Sequence, residues 1–431
     1  MKKDKKIGLS LSGGGYRATV YHLGTLRKLK ELDLLQHIDV ISTNSGGSIT
    51  GALYGLYGQD FDKFEIFLLR GVKKSVIKQI LMSRFFLIPA LIIFLLLLSM
   101  VGLLFTGVSW IVLIMLIAII IVILYFQFDL FPFSKIIQQA YDKFFFHGKT
   151  LSSIKDKVKL AINSTNAETG TLFTFSKQKM NDSSYRYPKD GGKPIYFDHD
   201  NFPISRAVAA STCVPFIFTP VKISQSFFTN KKDYERVKPR LVDGGVYDNQ
   251  GVHKLAQKNS EYACDIIIVS DAGNSLPFKN TYKNVLPLLI RVSDIFMNRI
   301  KNFQMIHLIF NPNNLEEVAY QSLGWNIEKS IPAFIENIRK GNLSKAVVRS
   351  HGIKEEHIEA RDWSKIESLL KQSIDYDLII SESNTEQELT IARGVSTNLK
   401  ALTDVQINTL TKHAEVLTEI QIKLYCPTLF K

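Results

Sequence analysis

The sequence predicts an α/β fold, with a sheet covered by helices on both faces and interrupted by an inserted hydrophobic hairpin. Short apolar runs alternate with segments of helical periodicity, which is typical of strand–helix units. A long segment between Arg84 and Asp129 contains no charged residue. The 431 residues are 46% hydrophobic and 22% charged, a composition that supports a packed core and argues against disorder.

The first predicted strand leads into a glycine-rich turn within the stretch KIGLSLSGGGYRATVYHLG. Ile7–Leu11 is an apolar run, and residues 16–32 carry apolar side chains at helical spacing. Gly13, Gly15 and Ala18 fit the G-x-G-x-x-G/A pattern of a dinucleotide site. The same geometry also forms an oxyanion hole, because it directs free backbone N–H groups at negative charge. This stretch alone does not decide between the two.

A serine follows the second predicted strand, residues 38–43, and precedes the predicted helix Gly46–Tyr57. Ser45 therefore occupies a strand-to-helix turn of the kind that presents a nucleophile, and the small residues after it let the helix approach. Thr43 stands where the usual G-x-S-x-G pattern has its first glycine, so the match is partial. The alternative is that Ser45 is only the N-cap of the helix.

The uncharged segment is about twice the roughly 20 helical residues that cross a bilayer. It predicts two membrane spans, residues 85–105 and 108–128, joined by a tight turn near residues 106–109. The alternatives are a buried pair of core helices and a monotopic hairpin that enters and leaves one leaflet. Basic residues on both sides place both flanks on the cytoplasmic side: Lys73, Lys74, Lys78, Arg84, Lys135 and Lys143.

The remaining chain continues the α/β pattern and ends in helices. Predicted strands cover residues 158–163, 171–175, 240–242 and 265–269, and a short helix covers residues 203–211. Near the end, Thr403 and Gln406 predict a capping box for a helix whose apolar stripe fits core packing: Ile407, Leu410, Ala414, Leu417 and Leu424. We divide the chain into the first part of an α/β domain, the hairpin insertion, the second part of that domain and a mostly helical C-terminal region: residues 1–80, 81–130, 131–321 and 322–431.

Charge and cysteine content narrow the possible partners and cofactors. The formal charge of +13 favours an anionic partner such as a membrane surface, a nucleic acid or an acidic substrate. The three cysteines are far apart, and neither a carboxylate-rich calcium loop nor an H-E-x-x-H zinc motif is present, so we expect no metal and no cofactor. The apolar run after the N-terminal lysines is too short for a signal peptide, so we expect a cytosolic N-terminus.

Four motifs, in order, resemble those of the patatin-like phospholipases. SGGGYRATVYHLGTLRKL is similar to the glycine-rich segment of that family, with Arg17 in the place of its arginine. NSGGS resembles the nucleophile motif, AASTCVPFIFTP (residues 209–220) resembles a stretch between serine and aspartate, and DGGVYDNQG resembles the aspartate motif. The resemblance covers residues 6–275, with the hydrophobic segment as an insertion. Thr43 is its main departure from the family pattern.

The resemblance implies a patatin-like three-layer α/β/α sandwich and a catalytic dyad. Ser45 would be the nucleophile, and Asp243 would be the base that takes its proton. Gly13, Gly14 and Gly15 would supply oxyanion donors, and Arg17 would either support the oxyanion or pair with a carboxylate. A dinucleotide site requires an acidic residue at the end of the second strand. Thr43 and Asn44 stand there instead, so the oxyanion hole is the better interpretation.

A rival mechanism is a Ser-His-Asp triad, for which the α/β-hydrolase order nominates His253 or His307. As an isolated pattern, Asp243-Gly244 is also typical of a simple turn. The dyad has a topological consequence. Ser45 precedes the hairpin and Asp243 follows it, so the chain must return to the side of the membrane that it left.

The function expected from these observations is a membrane-associated lipid acyl hydrolase of the phospholipase A or lysophospholipase type. Its partners would be membrane phospholipid and an anionic membrane surface, without nucleic acid. The catalytic domain would face the cytoplasm. The alternatives are a carboxylesterase or thioesterase on the same fold, an effector phospholipase gated by a regulator, and a non-catalytic membrane scaffold.

Overall fold

The computed structural model describes residues 5–189, 191–274, 282–308 and 317–430. At its centre is one mixed sheet, which confirms the predicted α/β class. The strands in the described ranges are β1 Ile7–Leu11, β2 Val40–Asn44, β3 Lys159–Asn166, β4 Thr171–Phe175, β5 Met180–Asp182, β6 Val221–Lys222, β7 Arg240–Asp243, β8 Ile266–Asp271 and β9 Glu317–Ser322.

The helices in the same ranges surround this sheet. They are α1 Gly15–Glu31, α2 Gly46–Tyr57, α3 Phe61–Val72, α4 Val76–Leu81, α5 Arg84–Leu103, α6 Trp110–Leu130, α7 Phe133–Tyr141, α8 Ser183–Arg186, α9 Ile204–Ser211, α10 Gly245–Asp248, α11 Val252–Ala256, α12 Val285–Leu308, α13 Ser330–Arg339, α14 Lys345–Ser350, α15 Glu355–Glu359, α16 Trp363–Ser373, α17 Tyr376–Ser381, α18 Glu386–Gly394 and α19 Asp404–Tyr425.

The sheet is parallel at its centre and antiparallel on one side. Its order is β5-β4-β3-β2-β1-β8-β9, and β7 pairs with both β3 and β6. The pairs β3–β2, β2–β1, β1–β8 and β8–β9 are parallel, whereas β4, β5, β6 and β7 pair antiparallel to their neighbours. Since β2 and β7 both lie beside β3, the end of the strand before Ser45 and the end of the strand carrying Asp243 meet at one edge of the structure.

Apolar side chains project from both faces of the central strands. Ile266 and Ile268 of β8 pack into the main core with α1 and α19, whereas Ile267 and Val269 pack into a second cluster with α11. Such alternation places a helical layer on each side of the sheet, because successive strand residues point to opposite faces. The arrangement is consistent with the three-layer architecture expected from the family resemblance.

The C-terminal part of the chain is helical and returns to the main core. Its helices α13, α16 and α17 bury their apolar faces against one side of α19. The other side of α19 packs along α1 and β9. The predicted capping box is present, because the Thr403 side chain accepts from the Gln406 amide at 3.3 Å and the Gln406 side chain accepts from the Thr403 amide at 3.1 Å.

The hydrophobic segment forms two helices, α5 and α6, joined by a turn at residues 104–109. Both are long and apolar enough to cross a membrane, and almost none of their side chains are buried in the protein. The alternative of a buried core pair is therefore wrong. At the base of the hairpin, the Phe86 and Phe131 rings lie 5.9 Å apart, and the Lys135 ammonium group lies 4.7 Å from the Phe85 ring.

Candidate active site

Ser45 occupies a strained elbow between β2 and α2. Its φ of 46° and ψ of −122° are unusual for a residue with a side chain. Such a conformation costs about 1–3 kcal/mol and persists only where the surrounding structure enforces it. The side chain of Ser45 makes no capping hydrogen bond to α2, so the interpretation as a simple N-cap is wrong. The hydroxyl group is left available for chemistry.

Small residues and one compensating contact allow this elbow to form. A Cβ atom on Gly46 would collide with the carbonyl oxygen of Gly15, so the helix start requires glycine there. Thr43 replaces the first glycine of the usual nucleophile pattern, and Gly51 of α2 leaves room for its side chain. A Cβ on Gly51 would lie 2.5 Å from the Thr43 methyl group. The Thr43 hydroxyl is bonded to that of Ser48 at 2.9 Å, so its polar atom is satisfied.

Asp243 ends β7 next to Ser45. One carboxylate oxygen accepts the Gly245 amide at 2.7 Å, and the Ser45 side chain lies close enough to the carboxylate to lower its pKa. The Asp243 amide donates to the Cys213 carbonyl at 2.8 Å, which fixes the strand end. The structure thus brings together the two residues that the hairpin separates in sequence.

Burial sets the basicity of this carboxylate. Desolvation raises the pKa of Asp243 to about 6, although the Gly245 amide and the nearby Ser45 side chain oppose the shift. A carboxylate with a pKa near 6 is mostly ionised at neutral pH, yet it is a stronger base than an ordinary aspartate. The arrangement can therefore accept a proton from the Ser45 hydroxyl.

The glycine-rich turn lies directly beside Ser45. A Cβ on Gly13 would be 3.0 Å from the Cβ of Ser45. Gly14 and Gly15 have φ values of 142° and 58°, which a residue with a side chain rarely adopts. Their amides donate to no acceptor in the described part of the chain. Gly13 is different, because its amide donates to the Asn249 carbonyl at 2.9 Å. The Gly13 amide is therefore engaged in this structure, and its role as an oxyanion donor stays a prediction.

A family model, "Patatin-like phospholipase", matches residues 9–256, more than half of the chain. The chain belongs to the patatin-like phospholipase family. A search of curated proteins finds no match. Among solved structures, VipD from Legionella pneumophila is similar at 12% identity and a TM-score of 0.33, over 98% of this chain and 88% of that one.

Arg17 of this patatin-like protein connects the glycine turn to the C-terminal part of the chain. One guanidinium nitrogen donates to the Val395 carbonyl at 3.2 Å. The other lies 3.7 Å from the position that a Cβ on Gly14 would take. Burial lowers the pKa of the guanidinium, and the charge of Asp271 opposes that effect. No ion pair links Arg17 to a carboxylate in the described ranges, and its support of an oxyanion stays a prediction.

The histidines are engaged elsewhere. His22 is buried, with its ring nitrogens 2.8 Å from the Ser270 hydroxyl and 2.9 Å from the Ser12 carbonyl, and burial lowers its pKa to about 4. His253 packs against Tyr247, and His307 packs against a phenylalanine on an exposed part of α12. Within the part of the chain that the structure describes, no histidine hydrogen bonds to Ser45 or Asp243. The triad therefore gains no support.

Two residues of the site were missed by sequence reasoning. The Ser211 hydroxyl accepts the Ser45 amide at 2.9 Å and is bonded to the Ser48 hydroxyl at 2.8 Å. Asn249 holds the Gly13 amide. Both residues lie inside the family-like motifs quoted above, and that position could have indicated that they belong to the site. In the described part of the chain, no group of three or more His, Cys, Asp or Glu residues could hold a metal ion.

Proposed function

We propose that the protein is a serine lipid acyl hydrolase of the phospholipase A or lysophospholipase type. The observation that carries the proposal is the position of Ser45 beside a buried Asp243, next to a glycine turn with two amides that have no acceptor in the described part of the chain. This pairing supplies a nucleophile, a base and donors for negative charge, which are the requirements of acyl transfer. A non-catalytic scaffold would not need Ser45 to be held in a strained conformation.

The reaction would proceed in two acyl transfers. Ser45 Oγ attacks the ester carbonyl as Asp243 takes its proton, and the tetrahedral oxyanion forms against the amides of Gly14 and Gly15. Each such donor contributes on the order of 3 kcal/mol in the transition state. The leaving alcohol takes the proton from Asp243, which leaves an acyl-Ser45 ester. Water then attacks this ester, Asp243 accepts the water proton, and fatty acid release returns the proton to Ser45.

The hairpin would hold this site at a membrane. Ser45 and Asp243 meet in one site, so α5 and α6 enter and leave from the same side of the bilayer. Arg84 and Lys135 flank the hairpin, which favours a cytoplasmic position for the catalytic domain. Basic residues near the surface attract anionic headgroups with about 1 kcal/mol each. The substrate would be phospholipid of the cytoplasmic leaflet.

A lipidomic comparison tests the proposal. Membranes are incubated with the wild type, with Ser45→Ala, and with Ser205→Ala as a matched control that removes a buried serine of α9. We expect the wild type and the control to release fatty acid and lysophospholipid, and we expect Ser45→Ala to release neither. Hydrolysis by Ser45→Ala at the wild-type rate, or no lipid change with any variant, would contradict the proposal.

A further inference from the structure

A short loop beside the site exposes three large apolar side chains. Residues 214–218 follow α9, and three of them expose large apolar side chains: Val214 at 39%, Phe216 at 60% and Ile217 at 51%. We call these three residues the apolar rim. Phe216 also has a φ of 69°, which is rare for a bulky residue. Exposed apolar side chains that are clustered, on a backbone held in a rare conformation, indicate an interaction surface.

The loop is fixed at both ends, to the site and to the hairpin. At its start, the Cys213 carbonyl accepts the Asp243 amide at 2.8 Å. At its end, the Thr219 hydroxyl donates to the carbonyl of Phe131, the residue that directly follows α6, at 3.0 Å. Ser134 of α7 joins the two ends, because its hydroxyl contacts Cys213 Sγ at 3.4 Å and donates to the Thr219 carbonyl. The apolar rim therefore lies between the proposed base and the exit of the hairpin.

We propose that the apolar rim inserts into the lipid leaflet that the hairpin enters, and that it leads acyl chains from that leaflet to Ser45. This inference rests on the proposed function. The argument is one of position: α6 ends at Leu130, so the bilayer boundary lies near Phe131, and the loop is hydrogen-bonded to that residue. Phospholipid ester groups lie at the same boundary, between the headgroups and the hydrocarbon.

Lipid fits this surface better than a protein partner does. The rim adjoins a hairpin whose apolar side chains are themselves exposed along nearly their whole length. A bilayer that covers α5 and α6 would extend over the rim without a further binding event. Apolar side chains transferred from water to hydrocarbon also gain free energy in proportion to the area covered. A soluble partner would have to compete with lipid at this depth.

Activity measurements provide the first test, with the full chain reconstituted in vesicles of equal parts phosphatidylcholine and phosphatidylglycerol. For each variant we take the ratio of phospholipid hydrolysis to hydrolysis of a short soluble ester. We expect Phe216→Ser and Ile217→Ser to lower this ratio at least about tenfold. Leu378→Ser, which removes a side chain 67% exposed on α17, should keep the wild-type ratio. An unchanged ratio, or an equal loss in the control, overturns the proposal.

A depth measurement tests insertion without using activity. Ile217→Cys and Leu378→Cys are labelled with an environment-sensitive fluorophore, since Cys213, Cys264 and Cys426 are buried. In nanodiscs whose lipids carry bromine on the acyl chains, we expect quenching at 217 and none at 378. Absence of quenching at 217 overturns the proposal, even if Ser45-dependent hydrolysis is intact. Quenching at 217 in a protein that hydrolyses no lipid refutes the proposed function and leaves the insertion standing.

Discussion

The raised pKa of Asp243 predicts an acid limit on activity. Asp243 must be ionised to accept the Ser45 proton, so activity is present above its pKa and is lost as the pH falls through it. With a pKa of about 6, roughly nine-tenths of the sites are ionised at pH 7 and about one-tenth at pH 5. We therefore expect kcat/KM to fall about tenfold between those pH values. An aspartate with an unshifted pKa would be ionised at both pH values, so kcat/KM would stay nearly constant over this interval.

The assay uses a soluble short-chain ester, so that ionisation of lipid headgroups does not contribute to the profile. Tryptophan fluorescence at each pH confirms that the fold is retained. The pH at which kcat/KM inflects reports the pKa of the base in the free enzyme. An inflection near pH 4 would show that Asp243 is not the desolvated base described above. An inflection near pH 6 that disappears in His253→Gln would assign the base to a histidine.

Three further predictions address the donors, the histidines and the hairpin. Gly14→Ala should lower kcat about a hundredfold with little change in KM, because a side chain at a φ of 142° would displace the amide that acts on charge formed in the transition state. Gly170→Ala, at a similarly left-handed glycine in open space, should leave kcat unchanged. His253→Gln should keep activity within about tenfold, whereas loss of a triad member costs several thousandfold. In a variant without native cysteines, an impermeant maleimide on intact cells should label a cysteine at Ser109 but not at Lys74. Labelling at Lys74 alone would refute the two-span topology.

Local patterns were sufficient to predict the part of the fold that surrounds the site. The Ile7–Leu11 and Thr171–Phe175 strands and the Gly46–Tyr57 helix match their predicted bounds, because each is a short run with its own hydrophobic period and clear breaks. The α5 and α6 helices differ from their predicted bounds by about two residues, since apolar composition does not define where a turn begins. The order of the motifs was enough to nominate Ser45 and Asp243, two residues that the fold brings close together.

Features that depend on distant residues could not be predicted. The Gly13 amide is occupied by the carbonyl of Asn249, a partner that only the folded chain brings near. The tolerance of Thr43 depends on Gly51, which becomes its neighbour through the packing of α2 on the sheet. The antiparallel pairing of β7 with β3 and the packing of α19 along α1 also join remote parts of the chain. The hydrophobic periodicity of one segment does not indicate which distant segment it will pair with.

The most direct test of the Ser45–Asp243 dyad is covalent labelling by a fluorophosphonate, followed by peptide mass spectrometry. The wild type and Ser205→Ala should each carry one adduct, on Ser45. Ser45→Ala should carry none, and Asp243→Asn should react at least about a hundredfold more slowly, because the base that activates the hydroxyl is lost. An adduct on another residue, or equal labelling of Asp243→Asn and the wild type, would contradict the dyad.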